Sequence, residues 1–465
     1  MRLSGSSFGV PNPRAPTGGR KPWPRDRRFS TLVVVMIWVV LGTMAVNWGW
    51  VNGGSGRGAG EQTAAQAVAE VYAPSAAMRF VKLALLAISI AVALVNWRTA
   101  RQTLRATNRF FLAFMVMALL SALWSISPSD TIARYITLLS LVSVCFAFAM
   151  TNWYRERFQD VLRPLLIAIC AGSLVIGFLM PDWIIEGGLL SDAWHGLLSQ
   201  KNEFGQVAGF AAIFSLHGLL AREIKPWWGV LGLVVALACL MLSRSSTSLL
   251  AALFSLWLML MLVKSPTTMR RPMRYVVAAF AVVVVLYAVT VLRIIPGFEI
   301  LLRPVMMISG KDMTFSNRSV IWDIIKEHMA RWPMLGAGYG GYWTGANPAS
   351  PSYEFFTRMY FYPSQSHNGY LELANDLGYV GLIVLLGYLA AFVWQGIRFF
   401  MLDRTQGALL LALFFHQSVT NLSESTWLQI SQPVGVTVMT LATFAMARTL
   451  SEMKRTGLSP PRRKV

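Results

Sequence analysis

Charged residues are scarce in this sequence. Asp, Glu, Lys and Arg make up 13% of the 465 residues, against roughly 25% in a soluble domain. So few charged side chains cannot cover an ordinary soluble fold, which excludes that class. Acidic residues are the scarcer kind, 21 against 41 Lys and Arg, and the net charge is +20.

Cysteine and the common catalytic motifs are also rare or missing. Cys145, Cys170 and Cys239 all lie in apolar segments, which argues against a disulfide framework or a cysteine metal site. The CxxC, HExxH and Walker A patterns do not occur. The sequence therefore indicates no metal, no cofactor and no nucleotide-phosphate loop.

Long apolar segments occupy most of the chain, and 55% of its residues are hydrophobic. They predict an all-α polytopic membrane protein with about 12 transmembrane helices, because roughly 18 apolar residues suffice to cross a bilayer. The predicted spans are residues 31–48, 80–96, 110–126, 132–150, 162–180, 204–221, 226–243, 246–263, 274–292, 379–398, 407–420 and 430–448. The chain divides into a basic tail (1–29), nine spans (30–292), a large loop with an amphipathic helix (293–378), three spans (379–449) and a second basic tail (450–465).

The excess of basic residues predicts the orientation in the membrane. With a cytoplasmic N-terminus, Lys and Arg collect in the inner connections 97–109, 151–163, 221–226, 264–274 and 398–406, while the outer connections 126–131 and 420–428 have none. This asymmetry follows the positive-inside rule and places both termini in the cytoplasm. The same rule accounts for the net positive charge. Nucleic-acid binding is not needed to explain that charge, and the sequence contains no nucleic-acid-recognition motif.

The predicted orientation brings several polar segments to the outer face. They are residues 181–203, 243–248, 365–373 and 420–425, together with an amphipathic helix that starts near Arg318. Polar groups at a membrane boundary are costly unless they are hydrogen-bonded or hydrated, so their convergence indicates a functional site. The candidate substrate-binding residues are Lys201, Asn202, Arg244, Asn368, Glu424 and Tyr339, and the candidate catalytic residues are His367, Arg318 and Glu372.

These residue types suit the transfer of a group from a lipid diphosphate. Arg and Lys bind phosphate oxygens, and His367 can accept a proton from a hydroxyl near neutral pH. Glu372 or Glu424 could orient the histidine or replace it, and Tyr339 with the neighbouring aromatic residues could stack on sugar rings. Plainer roles stay open: contact with lipid headgroups for Lys201 and Arg244, and an interfacial belt for the aromatic residues.

Four segments resemble the O-antigen ligase and polysaccharide polymerase family of bacterial inner-membrane glycosyltransferases. Residues 199–205 (SQKNEFG) are similar to its H-K-N-x-x-G segment, with Gln200 where a histidine is common. Residues 317–322 (NRSVIW) are similar to G-R-T-x-x-W. Residues 336–340 (GAGYG) match its glycine-rich turn. Residues 365–371 (QSHNGYL) resemble H-S-H-N-x-x-L, with Gln365 in place of the first histidine.

The resemblance implies a GT-C-type fold in the inner membrane with a large periplasmic loop. It also implies a metal-independent transfer of glycan from undecaprenyl diphosphate to an acceptor hydroxyl. Arg318 would hold the diphosphate, and His367 would activate the acceptor or position the leaving group. A polymerase of exopolysaccharide or O-antigen repeat units is favoured over an O-antigen ligase acting on lipid A-core. A chain-length regulator and a flippase are possible partners. A transporter is the remaining alternative, although few ionisable residues lie in the middle of the spans.

Overall fold

The computed structural model describes residues 29–47, 76–152, 157–185, 193–266, 268, 272, 274–282, 318–345, 347–348, 350–359, 362–363 and 365–456. Residues 1–28 of the first predicted tail, residues 457–465 of the second, the span at 274–292 beyond residue 282 and residues 293–317 of the large loop lie outside these residues. Residues 450–456, which were predicted as the start of the second tail, are helical. The described residues form helices, and their only pairing of the β type is an isolated bridge between Ile185 and Trp194. This agrees with the predicted all-α class.

Fourteen α-helices follow one another in the described part of the chain. They are α1 (Ser30–Met44), α2 (Ala76–Val95), α3 (Trp97–Ala106), α4 (Arg109–Leu120), α5 (Pro128–Thr151), α6 (Phe158–Leu179), α7 (Lys201–Leu220), α8 (Pro226–Leu242), α9 (Ser246–Lys264), α10 (Arg318–Met329), α11 (Glu354–Met359), α12 (Gly369–Leu402), α13 (Arg404–Thr420) and α14 (Pro433–Thr456).

Local sequence explains where several of these helices begin. Proline is the first residue of α5, α8 and α14, where its missing N–H costs no helical hydrogen bond. Side chains cap three others: Asn108 accepts from Phe110 N, Ser245 from Ser248 N, and Asp403 from Gln406 N. Capping of this kind satisfies backbone donors that a helix start leaves without partners.

The apolar helices make this a multi-pass membrane protein. Within the described ranges, seven helices are long and apolar enough to cross a bilayer, namely α2, α5, α6, α7, α9, α12 and α14. The pair formed by α3 and residues 109–123 is bent by 102° and could provide an eighth. Helices α1 and α8 are apolar but shorter, and α13 has 17 residues. The predicted total of about 12 spans therefore stays a prediction.

Helix α12 begins earlier than predicted. It starts at Gly369 rather than at residue 379, so residues 369–377, which were placed in the large loop, are helical. The two parts of α12 meet at Gly378, whose φ of 66° interrupts the helical backbone. Tyr379 N donates to the carbonyl of Pro333 at 2.8 Å there. The predicted boundary at residue 379 thus coincides with this kink.

The amphipathic helix predicted near Arg318 is α10. Its buried face contains Ile321, Ile324, Ile325, His328 and Met329, as the spacing predicts, and Trp322 is buried as well. The three- and four-residue spacing in the sequence also predicts Val320 on this face, but its side chain is 43% exposed. Helix α10 packs against α12, which brings Arg318 close to the start of α12. The sequence also offers Ser316 or Asn317 as the N-cap of this helix, and both residues lie outside the described residues.

The two ends of α7 mark two polar regions. Helix α7 packs against α6, α8, α9 and α13, and it spans about 30 Å at 1.5 Å per residue. Beyond its C-terminus, Glu223 is 2.8 Å from Arg163 and 3.4 Å from Arg157. These residues belong to connections that were predicted on one common side of the membrane. The candidate site lies around the other end of α7.

Candidate active site

Three polar side chains from distant parts of the chain meet at one oxygen of Glu424. Asn202 Nδ2 donates to Glu424 Oε1 at 2.7 Å, and Arg318 Nη2 donates to it at 3.2 Å. His367 Nδ1 lies 3.4 Å from the same oxygen. Glu424 itself is 2% exposed and lies between α13 and α14. The structure therefore brings together four of the predicted site residues.

The other oxygen of Glu424 is held by amides. Gln365 Nε2 and Gln432 Nε2 each lie 3.3 Å from Glu424 Oε2. Gln365 also donates to Gln200 Oε1 at 3.3 Å. Gln200 and Gln365 stand where the family motifs commonly have histidine, and the structure shows that the two positions are neighbours. In this chain the hydrogen-bond donors on that side of the carboxylate are glutamine amides, which do not titrate.

The surroundings of Glu424 favour its charged form. Burial by itself would raise the pKa of Glu424. The neighbouring imidazole of His367, the guanidinium of Arg318 and the hydrogen bond from Asn202 outweigh burial and lower the pKa below its ordinary value. A carboxyl group with a lowered pKa is an anion at neutral pH. Glu424 can therefore hold a protonated histidine and a guanidinium beside it.

The backbone around His367 fixes where its ring points. His367 has a φ of 52°, a left-handed conformation that few residues other than glycine adopt. The next residue, Asn368, caps α12: its Oδ1 accepts from Tyr370 N and Leu371 N, both at 3.1 Å. Since Nδ1 faces Glu424, Nε2 lies on the far side of the ring. The side chain is 20% exposed, so the site is open to solvent.

Glu372 lies behind this cluster rather than in it. Its Oε1 accepts from Trp343 Nε1. Its Oε2 accepts from Ser366 N at 2.6 Å and from Ser425 Oγ at 3.3 Å. Ser366 precedes His367 in the chain, and Ser425 follows Glu424. The buried carboxyl of Glu372 thus joins the two backbone segments that carry the cluster, which is a positioning arrangement.

Tyr339 and most of the other predicted stacking residues are buried. Tyr339 is 0% exposed, and its hydroxyl donates to the carbonyl of Leu428 at 2.6 Å. Burial raises the pKa of that hydroxyl well above its ordinary value. Tyr342, Trp343, Tyr362 and Tyr370 are buried too, and Tyr360 lies outside the described residues. These buried rings present no open face to a sugar.

Lys201 and Arg244 lie in two segments that contact each other. Lys201 is the first residue of α7 and directly precedes Asn202. Arg244 is exposed in the turn between α8 and α9, with a φ of 48°. Ser248 Oγ donates to the carbonyl of Asn202 at 3.3 Å, so this turn packs against the start of α7. Both cations therefore belong to segments that border the cluster.

Sequence reasoning missed Arg134 and Asp376. Arg134 Nη1 donates to the carbonyl of Gly340 at 2.6 Å, and its Nη2 donates to that of Trp343 at 2.7 Å. Asp376 Oδ2 accepts from Gly340 N at 2.9 Å. The position of Asp376 one turn after Glu372 was the available signal, whereas Arg134 opens an otherwise ordinary span.

The glycine-rich segment is a tight turn, as predicted. The φ angles of Gly336, Gly338 and Gly340 are 68°, 91° and 63°, in the region that glycine adopts without strain. A Cβ atom at Gly340 would lie about 2.5 Å from the side chain of Arg134. Glycine is therefore required here by the backbone and by the approach of Arg134.

Comparison with known proteins supports the same family. The O-antigen ligase family model matches residues 231–386, a range that includes Arg318, His367 and Glu372. The chain is also 28% identical over 332 residues to the exopolysaccharide production protein ExoQ of Rhizobium meliloti (strain 1021), a match that covers 66% of this chain and 69% of that protein. These matches confirm the resemblance to the O-antigen ligase and polysaccharide polymerase family, and they support a function of that type.

Proposed function

We propose that this protein polymerises undecaprenyl diphosphate-linked oligosaccharide repeat units into exopolysaccharide or O-antigen at the periplasmic face of the bacterial inner membrane. The observation that carries the proposal is the meeting of Arg318, His367 and Asn202 at one oxygen of Glu424. A cation for phosphate, an imidazole for proton transfer and a carboxylate that orients the imidazole are the groups that such a transfer needs.

In the proposed reaction, His367 Nε2 takes the proton of the acceptor hydroxyl while the hydroxyl oxygen attacks the anomeric carbon of the donor sugar. The bond from that carbon to the diphosphate oxygen breaks, and the electron pair leaves with the lipid diphosphate. Arg318 and Lys201 stabilise the negative charge on the leaving group. Glu424 holds His367 through Nδ1 and stabilises the imidazolium that forms.

The other side chains around the cluster receive supporting roles in this proposal. Asn202 and the glutamines fix the carboxylate of Glu424, so that its orientation does not depend on the substrate. Glu372 positions His367 through the backbone of Ser366. Arg244 and Asn368 border the same region: Arg244 is placed to contact the diphosphate or a lipid headgroup, and Asn368 fixes the start of α12.

The experiment uses a strain in which the gene is deleted and replaced by variants. His367→Ala and Arg318→Ala should each abolish long polymer on a gel, while immunoblotting shows normal amounts of protein in the membrane. Arg358→Ala is the matched control, because Arg358 is 44% exposed and pairs with Glu327 and Glu354 on the surface. Polymer of normal length in both site variants would contradict the proposal.

An O-antigen ligase is the second candidate, because the family model that matches residues 231–386 carries that name. A ligase uses the same donor and differs in its acceptor, the lipid A-core. In the deletion strain, polymer that is lost from lipid A-core and accumulates on undecaprenyl diphosphate would favour the ligase. Loss of the polymer itself, with single repeat units remaining on the lipid, would favour the polymerase.

A further inference from the structure

Six exposed apolar side chains gather around the C-terminal end of α10. Leu123 is 83% exposed, Ile126 37%, Trp332 62%, Met334 60%, Leu335 45% and Tyr379 51%. We call these six residues the apolar patch. They come from three parts of the chain. Leu123 and Ile126 follow α4, Trp332, Met334 and Leu335 follow α10, and Tyr379 lies at the kink of α12. The reaction proposed above uses none of them.

Backbone and side-chain hydrogen bonds hold the three parts together. Trp124 Nε1 donates to the carbonyl of Leu335 at 2.9 Å, and Ile126 N donates to that of Ala337 at 2.9 Å. Tyr379 N and Val380 N donate to the carbonyls of Pro333 and Met334 at 2.8 and 3.3 Å. The apolar patch is therefore one built surface and not a set of scattered side chains.

This surface continues into the outside of a membrane helix. Tyr379, Ile383 and Leu386 follow one another at four- and three-residue spacing on α12, so they share one face. Ile383 is 66% exposed and Leu386 is 38% exposed, in a helix long and apolar enough to cross the bilayer. Trp and Tyr at the edge of an apolar belt, with exposed Arg331 adjoining, are typical of a membrane–water interface.

We propose that the apolar patch inserts among the lipid acyl chains of the leaflet next to the site, and that this insertion holds α10 at the membrane surface. The apolar patch lies beyond the C-terminal end of α10. Arg318, at the N-terminal end of the same helix, contacts Glu424. Lipid contact at one end and the polar cluster at the other fix the helix at the depth of a lipid headgroup. A large exposed apolar surface of this kind needs a partner, and continuity with α12 makes that partner lipid.

Fluorescence quenching by brominated lipids tests this proposal. Cys145, Cys170 and Cys239 are buried and are first replaced by Ala, and Met334→Cys or Trp332→Cys is then labelled with a small fluorophore. Each variant is placed in nanodiscs, one copy per disc, with lipids brominated on their acyl chains. Labels at both positions should be quenched to at least half the extent seen for Ile383→Cys, a position on the apolar face of α12.

Asp323→Cys provides the matched control on α10. Its side chain is 61% exposed on the polar face of the same helix, and a label there should be quenched much less. If the labels at positions 332 and 334 are quenched no more strongly than the label at position 323, the proposal is overturned. It is also overturned if the labels at 332 and 334 are quenched only when two copies of the protein share a disc. No glycan is involved in the measurement, so it is independent of the proposed reaction.

Discussion

Replacing Glu424 by Gln tests the organisation of the cluster. The carboxylate lies within 3.4 Å of side-chain nitrogens from Asn202, Arg318, His367, Gln365 and Gln432. A glutamine keeps the shape of the side chain but removes the negative charge. It also replaces one acceptor oxygen with an NH₂ group. Whichever of the two oxygen positions this group takes, it faces nitrogen donors there. Arg318 and His367 then share a buried site with no anion.

The cost follows from these contacts. Removing one partner of a buried ion pair costs about 3–5 kcal/mol. The side chains of Arg318 and His367 are 19% and 20% exposed, so water partly replaces the lost partner. We therefore expect a loss of about 2–4 kcal/mol in the free energy of unfolding at neutral pH. Transfer activity should fall by roughly 100-fold or more, because the imidazole loses the group that orients it.

The assay is thermal unfolding in detergent, followed by tryptophan fluorescence, at several pH values. The folded-state pKa of Glu424 is lowered, so its contribution is present above the unfolded pKa of about 4.3 and is lost as pH falls through the folded value. The unfolding temperatures of wild type and Glu424→Gln should therefore differ most at neutral pH and converge in acid. Glu327→Gln, at an exposed surface pair, should change little at any pH. A Glu424→Gln protein as stable as wild type at pH 7 would refute this reasoning.

Three further predictions concern the residues around the cluster. Glu372→Gln should lower the transfer rate roughly 10- to 100-fold through misplacement but leave the shape of the pH–rate profile unchanged, whereas loss of one limb of the profile would identify Glu372 as the base. Asn368→Ala should cost about 1 kcal/mol of stability because α12 loses its cap, and Asn368→Ser, which keeps a capping oxygen without adding a buried charge, should restore part of it; equal unfolding temperatures for the Ala and Ser variants would count against the cap. Gly378→Ala should destabilise by more than about 1–2 kcal/mol, since the left-handed backbone strains alanine and its Cβ would meet the backbone of Met334. Gly42→Ala, in an open helical position, should not lower the unfolding temperature.

Much of the helical architecture could be predicted from the sequence. Apolar segments mark membrane helices directly, because the bilayer imposes one length and one composition. The periodicity of residues 321–329 was enough to predict the buried face of α10. The helical start at Gly369 was not predicted, because residues 369–377 are polar for a membrane span. They are nevertheless helical, since Asn368 caps them and their polar side chains find buried partners.

The carboxylates show where local reasoning ends. Glu372 lies five residues from His367 and was the nearer candidate in sequence, yet the group beside the imidazole is Glu424. The reason is the left-handed backbone of His367 followed by the start of a helix at Gly369, which spacing alone does not reveal. The contact between Gln365 and Gln200 and the bracing of the glycine turn by Arg134 likewise depend on tertiary packing.

The most direct test of the account is reconstitution in liposomes with a defined undecaprenyl diphosphate oligosaccharide and no other protein. Wild type should convert it into a ladder of longer lipid-linked products, resolved by mass spectrometry, and His367→Ala should leave the starting material unchanged. A ladder of equal length from His367→Ala, or none from folded wild-type protein, would contradict the claim that the Glu424 cluster elongates lipid-linked glycans.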